Sequence, residues 1–205
     1  MTPYKNRSKE KMEYIIKKWD ILWQKYYIFF ASLSFLKKMS VCLGFALLTG
    51  LSAQLYINLP FTPVPFTGQV FVVLLAGVLL GKNFGAISQI VYLTGGSVGI
   101  NWFYASGAGF FRHTTGYMLG FAAAAYIIGV LTEKNNSCAG RLTAMFLGVI
   151  VILILGTLWL SLFLRIPITK AFAVGFLPFV PLDLIKAYLA GTVTNSIQKN
   201  SINKK

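Results

Sequence analysis

Asp183 and Lys186 are the two residues of this chain whose type and spacing most clearly indicate a chemical role. Asp183 is the only acidic residue after Glu133, and Lys186 follows it at i, i+3, which places both side chains on one face of a helix. The surrounding sequence is apolar, and ionisable residues in such helices are costly, usually paired and usually functional. The pair therefore indicates either a polar site for a small solute or a structural ion pair that fastens this helix to its neighbours.

A second set of polar residues follows a proline-rich connection at residues 58–69. Three prolines in six positions fix φ repeatedly and remove backbone donors, so the sequence predicts a stiff, extended connection. This connection would deliver Thr67 and Gln69 to the start of the next helix. A rigid loop that only orients two helices is the alternative interpretation.

A glycine-rich connection at residues 95–116 supplies the third set of candidates. Seven of the chain's 19 glycines fall between residues 95 and 120. Irregular backbone at membrane depth is tolerated where it is buried in protein or lines a cavity. Apolar walls and polar contacts for a solute would come from Trp102, Phe103, Tyr104, Asn101 and Arg112. The alternative is a belt of interfacial aromatic residues over a loop.

The composition places these candidates in a membrane protein. Of the 205 residues, 56% are hydrophobic and only 12% are charged, whereas soluble domains carry about 25% charged residues. An ordinary water-soluble enzyme and a disordered chain are therefore excluded. With one histidine and two cysteines, the sequence predicts no metal site, no disulfide framework and no cofactor. An intramembrane enzyme would need a carboxylate dyad, a Ser/His pair or a metal cluster inside the spans, so we predict no catalytic residue.

The elements that must position these residues are helices that cross a bilayer, each needing about 17–25 mostly apolar residues. We predict an all-α integral membrane protein with six transmembrane helices, at residues 39–57, 67–80, 84–94, 115–132, 142–164 and 180–197. The second and third are short and are joined by a tight turn at 81–83. Pro178 and Pro181 place the start of the last helix near Val180, which leaves 165–179 as a connection that dips partly into the membrane.

The basic residues predict the orientation. The net charge is +14, and nine of the 19 basic residues precede residue 39. With the N-terminus inside, the inner segments carry fifteen basic residues and the outer loops carry three, namely Arg112, Arg165 and Lys170. This is a strong positive-inside bias. We therefore predict cytoplasmic N- and C-termini, a six-helix membrane domain at 39–198 and a basic tail at 199–205.

Two further patterns concern partners. Residues 1–38 place apolar and basic side chains at helical spacing, which predicts an amphipathic helix at the inner surface of the lipid bilayer; a polar tail that only sets the topology is the alternative. The charges form no folded basic face, so we predict no nucleic-acid partner. On the first spanning helix, Ala46 and Gly50 form a small-xxx-small pattern that allows another helix to approach closely.

Four segments together make the chain similar to a known family. They read TPVPFTGQ at 62–69, LLAGVLLG at 74–81, TTGY at 114–117 and DLIKA at 183–187. The chain resembles the BioY family, the biotin-binding S components of energy-coupling factor (ECF) transporters. The resemblance implies a six-helix subunit of the bacterial cytoplasmic membrane that captures biotin from outside. It also implies a transmembrane coupling protein and two cytoplasmic ATPases as partners, with Ala46 and Gly50 facing the coupling protein.

The resemblance also implies a set of substrate-binding residues. These are Asp183, Lys186, Arg112, Asn101, Trp102, Phe103, Thr67, Gln69 and Tyr117. Asp183 is suited to accept hydrogen bonds from the ureido N–H groups of biotin. Lys186 would hold Asp183 ionised and donate to the ureido carbonyl; alternatively, Lys186 or Arg112 would meet the biotin carboxylate. The chain departs from the family where it has RHTTGY at 112–117 and GIN at 99–101. An S component for another small vitamin, and a structural or channel protein, are the alternatives.

Overall fold

The structure is a computed structural model that describes residues 29–30, 32–135 and 137–200, with side chains described as far as residue 194. Most of the predicted amphipathic segment at 1–38, and the tail beyond residue 200, lie outside the described residues. The described chain is predominantly helical, as the sequence predicts.

Six α-helices, one short strand pair and a single 3-10 turn make up the described residues. The helices are α1 (Phe35–Ala53), α2 (Gln69–Ser97), α3 (Thr115–Lys134), α4 (Cys138–Leu164), α5 (Ile168–Gly175) and α6 (Phe179–Asn200), and the strands are β1 (Tyr56–Ile57) and β2 (Phe66–Thr67). The strands pair antiparallel, with Tyr56 opposite Thr67. The 3-10 turn covers Tyr104–Ser106.

Four of the described helices, α1 to α4, are long and apolar enough to cross a membrane. A fifth candidate is the bent pair formed by α5 and the part Phe179–Thr194 of α6, whose axes meet at 45°. The chain is therefore a multi-pass membrane protein. That its helices make six crossings with both termini inside stays a prediction.

The helix α2 is folded into a hairpin. Gly81 has φ 73° and ψ −177°, which interrupts the helix at a conformation that glycine adopts readily. The side-chain amide of Gln69 donates to the hydroxyl of Tyr92 at 2.6 Å, although 23 residues of straight helix would separate them by about 35 Å. The predicted turn at 81–83 is thus confirmed, and both ends of α2 lie on the same side of the molecule.

Several predicted boundaries are wrong by a few residues, for local reasons. The helix α1 begins earlier and ends at Ala53 rather than residue 57, because the chain turns at Gln54 into β1. The helix α4 begins at Cys138 rather than residue 142, because the hydroxyl of Ser137 caps it by accepting from the backbone N–H of Gly140 at 3.0 Å. The connection at 165–179 contains the short helix α5.

The residues Ala46 and Gly50 face the interior of the protein. Ala46 is 0% exposed, and a Cβ placed on Gly50 would lie 3.0 Å from the Cβ of Trp102. The outward side of α1 carries leucines instead, including Leu47 and Leu51. The absence of a side chain at Gly50 makes room for Trp102 of the same chain. That Ala46 and Gly50 also contact a partner protein stays a prediction.

This packing predicts that Gly50→Leu destabilises the fold. A leucine there would overpack the contact with Trp102, and overpacking of a close contact costs about 1–3 kcal/mol. The melting temperature of the purified protein should fall accordingly. The same substitution at Gly44, which has nothing within 4 Å of a Cβ, is the matched control and should leave the melting temperature unchanged. Equal melting temperatures for the two variants would contradict the buried placement of Gly50.

Candidate binding site

A cavity lies where the first turns of α2, α3 and α6 meet. Six residues named from the sequence line it, namely Thr67, Gln69, Tyr104, Tyr117, Asp183 and Lys186. The other lining residues were not predicted: Val64, Pro65, Val70, Thr114, Met118, Phe121, Ile152, Leu153 and Phe179. Most of these are apolar, and their positions in the sequence resemble those of ordinary core residues.

Asp183 and Lys186 form the charged wall of this cavity. The Lys186 ammonium donates to Asp183 Oδ1 at 2.7 Å, and the two residues are 2% and 8% exposed. Lys186 also donates to the backbone carbonyl of Thr67 at 2.6 Å and lies 3.7 Å from the centre of the Phe66 ring. An ammonium has three N–H donors, so these contacts occupy most of its capacity. Lys186 therefore fixes β2 against α6.

One carboxylate oxygen of Asp183 is available to accept a hydrogen bond from a ligand. Its hydrogen bond within the described residues is made by Oδ1, to Lys186, whereas Oδ2 makes none there. A carboxylate accepts through both oxygens, and hydrogen bonds to an ionised acceptor are about twice as strong as neutral ones. The free side of Asp183 is thus suited to N–H donors of a bound solute.

A chain of hydrogen bonds holds the polar residues next to this wall. The hydroxyl of Thr67 donates to Gln69 Oε1 at 3.0 Å, and Gln69 Nε2 donates to the hydroxyl of Tyr92 at 2.6 Å. Tyr92 is fully buried, and a buried tyrosine hydroxyl generally finds such a partner. These contacts orient Thr67 and Gln69 at the start of α2. Tyr117 is oriented separately, because its hydroxyl donates to the carbonyl of Gly175 in α5 at 2.7 Å.

A second set of groups at the cavity is suited to an anion. Thr114 and Tyr117 line the cavity at the N-terminus of α3, a helix with no acidic residue in its first turn. A helix N-terminus attracts anions through its free N–H groups and its dipole. Arg112 lies just before this helix, where it donates to the carbonyl of Tyr104 at a long 3.4 Å. Its Nε is buried and has no hydrogen-bond partner among the described residues.

His113, next to Arg112, is half-buried, and its Nε2 has no hydrogen-bond partner among the described residues. Burial, reinforced by the nearby charge of Arg112, lowers the pKa of His113 below its ordinary value. Both effects disfavour a second positive charge beside Arg112.

Four predicted site residues are not among those that line the cavity: Arg112, which lies just before α3, and Asn101, Trp102 and Phe103. Asn101 is exposed, Trp102 packs on Tyr92 with ring centres 5.5 Å apart, and Phe103 is 1% exposed against Tyr92 and Gly96. That these residues contact a ligand stays a prediction. The loop folds back through a bridge between Phe103 and Gly107, which turns Tyr104 toward the cavity.

With this geometry established, the chain can be compared with known proteins. The model of the BioY family matches residues 23–202. The chain belongs to the BioY family. It is 37% identical to the biotin transporter BioY of Thermotoga maritima over 73% of this chain and 89% of that protein. It is 33% identical to the biotin transporter BioY of Rhizobium etli over 69% of this chain and 81% of that protein.

A solved structure agrees with this assignment. The crystal structure of the S-component for biotin from an ECF-type ABC transporter superposes with a TM-score of 0.75. The two chains are 25% identical, and the match covers 82% of this chain and 95% of that one. These comparisons confirm the resemblance of the four sequence segments, and they identify this BioY family member as a transport protein rather than an enzyme.

Proposed function

We propose that this BioY family member is the biotin-capturing subunit of a vitamin uptake system in the bacterial cytoplasmic membrane. The names of its relatives and of the matching crystal structure support biotin as the substrate. The single observation that carries the proposal is the polarity of the cavity. Its lining presents the carboxylate of Asp183 and also the N-terminus of α3, and Arg112 lies directly before that helix.

Biotin has the complementary distribution of groups. Its ureido ring carries two N–H donors, its thiophane ring and alkyl chain are apolar, and its far end is a carboxylate. In the proposed binding mode, Asp183 Oδ2 accepts from the ureido N–H groups and the apolar middle contacts side chains such as Phe121, Leu153 and Phe179. The biotin carboxylate then lies toward Arg112 and the N-terminus of α3.

The contacts of Lys186 indicate which of the two cations, Lys186 or Arg112, binds the biotin carboxylate. Lys186 already donates to Asp183 and to the carbonyl of Thr67 and lies over Phe66. Arg112 has a buried Nε without a partner among the described residues. We therefore assign the biotin carboxylate to Arg112, and to Lys186 the role of keeping Asp183 ionised and in place.

Energy for uptake would come from partner proteins. The sequence has no GxxxxGK[ST] motif, the loop that cradles nucleotide phosphates in many ATPases. In the proposed assembly, a transmembrane coupling protein and two cytoplasmic ATPases supply ATP hydrolysis. The ECF-type ABC transporter to which the matching S-component belongs supports this arrangement.

Thermal unfolding against a panel of vitamins tests the proposed substrate. A ligand present at 100 times its dissociation constant stabilises the folded state by about 2.7 kcal/mol. Biotin should therefore raise the melting temperature of the detergent-purified protein, while thiamin and riboflavin at equal concentration should not. A response to another vitamin without a response to biotin would overturn the substrate assignment while preserving the transport role.

A further inference from the structure

Tyr104, which the sequence predicts only as an apolar wall, lies where two connections meet at the cavity. Tyr104 lines the cavity, and its hydroxyl donates to Asn58 Oδ1 at 2.8 Å. Its ring meets the ring of Tyr56 edge to face, with centres 4.7 Å apart. Tyr104 therefore bridges the connection before α2 and the glycine-rich connection before α3.

The backbone at Tyr104 is held in an unfavourable conformation. The next two residues, Ala105 and Ser106, have φ values of 55° and 51°, in the left-handed region that non-glycine residues rarely adopt. Such conformations persist only where the surrounding structure imposes them. Two successive left-handed residues reverse the chain directly after Tyr104, which fixes the direction of its side chain.

The constraint comes from Gln54 at the end of α1. Its Nε2 donates to the carbonyl of Phe103 at 2.9 Å, and its Oε1 accepts from the backbone N–H of Ser106 at 3.1 Å. One amide group thus holds both sides of the tight turn. Gln54, Asn58 and Ser106 are all exposed, and hydrogen bonds at exposed positions open more readily than buried ones.

We propose that Tyr104 is a specificity-determining residue, which closes the pocket over the carboxylate end of the ligand through its bond to Asn58, with Gln54 as the positioning residue. The proposal rests on the proposed function for the identity of the ligand. A closed outer end excludes ligands extended beyond the carboxylate, such as the amide of biotin with lysine. It also slows dissociation, because the bond between Tyr104 and Asn58 must break before the ligand leaves.

The test uses the purified full chain and measures the dissociation rate of biotin. Tyr104→Phe removes the hydroxyl and keeps the ring, and Asn58→Ala removes its acceptor. Each should raise the dissociation rate about two- to tenfold, the effect of one exposed hydrogen bond. The double variant should match the single ones, because both changes remove the same bond. Tyr188→Phe, at an exposed position of α6 outside the cavity, is the matched control and should leave the rate unchanged.

A second variant tests specificity. Tyr104→Ala removes the covering ring, so the preference for biotin over its lysine amide should fall at least about tenfold, within the usual range of discrimination by pocket size. An unchanged preference, or additive effects of Tyr104→Phe and Asn58→Ala, would overturn the proposal. A lower melting temperature with unchanged dissociation rate and preference would do the same, by showing a purely structural role.

Hydrogen exchange of the unliganded protein separates this proposal from the choice of ligand. Tyr104→Phe should raise amide exchange in residues 56–60 and 102–107 together, and Asn58→Ala should give the same pattern. If the protein binds no biotin but shows this joint change, the substrate assignment fails and the bridge stands. If exchange in both segments is unchanged, the bridge is refuted whatever the protein binds.

Discussion

Replacing Asp183 by asparagine is expected to lower the affinity for biotin at least about a hundredfold. The amide turns one acceptor into a donor that faces the ureido N–H groups, and a charge-assisted hydrogen bond contributes about 1.5–3 kcal/mol. The change also leaves the ammonium of Lys186, only 8% exposed, without its anion. Removing one partner of a buried pair costs about 3–5 kcal/mol of folding stability, whereas each 1.4 kcal/mol lost from the contacts with biotin is tenfold in affinity.

The measurement is a biotin titration on the folded, monodisperse fraction of the Asp183→Asn protein. Glu133→Gln is the matched control: it makes the same carboxylate-to-amide change in an ion pair, with Lys82 at 3.0 Å, that is partly exposed and lies at the hairpin turn. That variant should bind biotin normally. If Asp183→Asn only lowered stability and its folded fraction bound biotin with wild-type affinity, Asp183 would be a structural residue and the proposed binding mode would be wrong.

The sequence predicts the site best where a residue type has few possible structural roles. An aspartate and a lysine at i, i+3 in an apolar helix need each other, and the structure confirms the pair at 2.7 Å. Likewise, the Gly-Lys-Asn sequence at 81–83 interrupts an apolar run, and the structure places the turn of the α2 hairpin at Gly81. In both cases the alternative, an unpaired charge or an uninterrupted helix, is costly enough for the local sequence to determine the structure.

The sequence predicts the site poorly where the direction of a side chain depends on distant contacts. Lipid tails are as apolar as leucine, so the pattern of α1 does not distinguish a helix face in the lipid from one in the protein core. Gly50 could therefore be read as an external contact, although it makes room for Trp102. The same limit applies to the glycine-rich connection, where the left-handed Ala105 and Ser106 direct Tyr104 rather than Trp102 toward the cavity.

Arg112→Gln, just before the N-terminus of α3, is expected to produce the second large effect. Loss of a charge-assisted hydrogen bond to the biotin carboxylate should lower affinity about ten- to hundredfold. Biotin methyl ester, which lacks the negative charge, should bind the wild-type protein more weakly than biotin by a similar factor. The Arg112→Gln variant should bind the acid and the ester almost equally. Titration of both ligands against both proteins measures this ratio.

The ratio of the affinities for biotin and for biotin methyl ester also shows whether Arg112 or Lys186 binds the carboxylate. If Lys186 met the carboxylate, the Arg112→Gln variant would still prefer the acid, because its cation would be intact. The contacts of Lys186 with Asp183 and Thr67 argue against this outcome, since the ammonium would have to leave oxygen partners at 2.7 and 2.6 Å. Arg165→Gln removes a similar charge from an exposed position that ends α4. Because Arg165 lies at the C-terminal end of α4 and not beside the N-terminus of α3, its loss should leave the ratio at the wild-type value, so a collapsed ratio in Arg112→Gln alone would locate the carboxylate at Arg112.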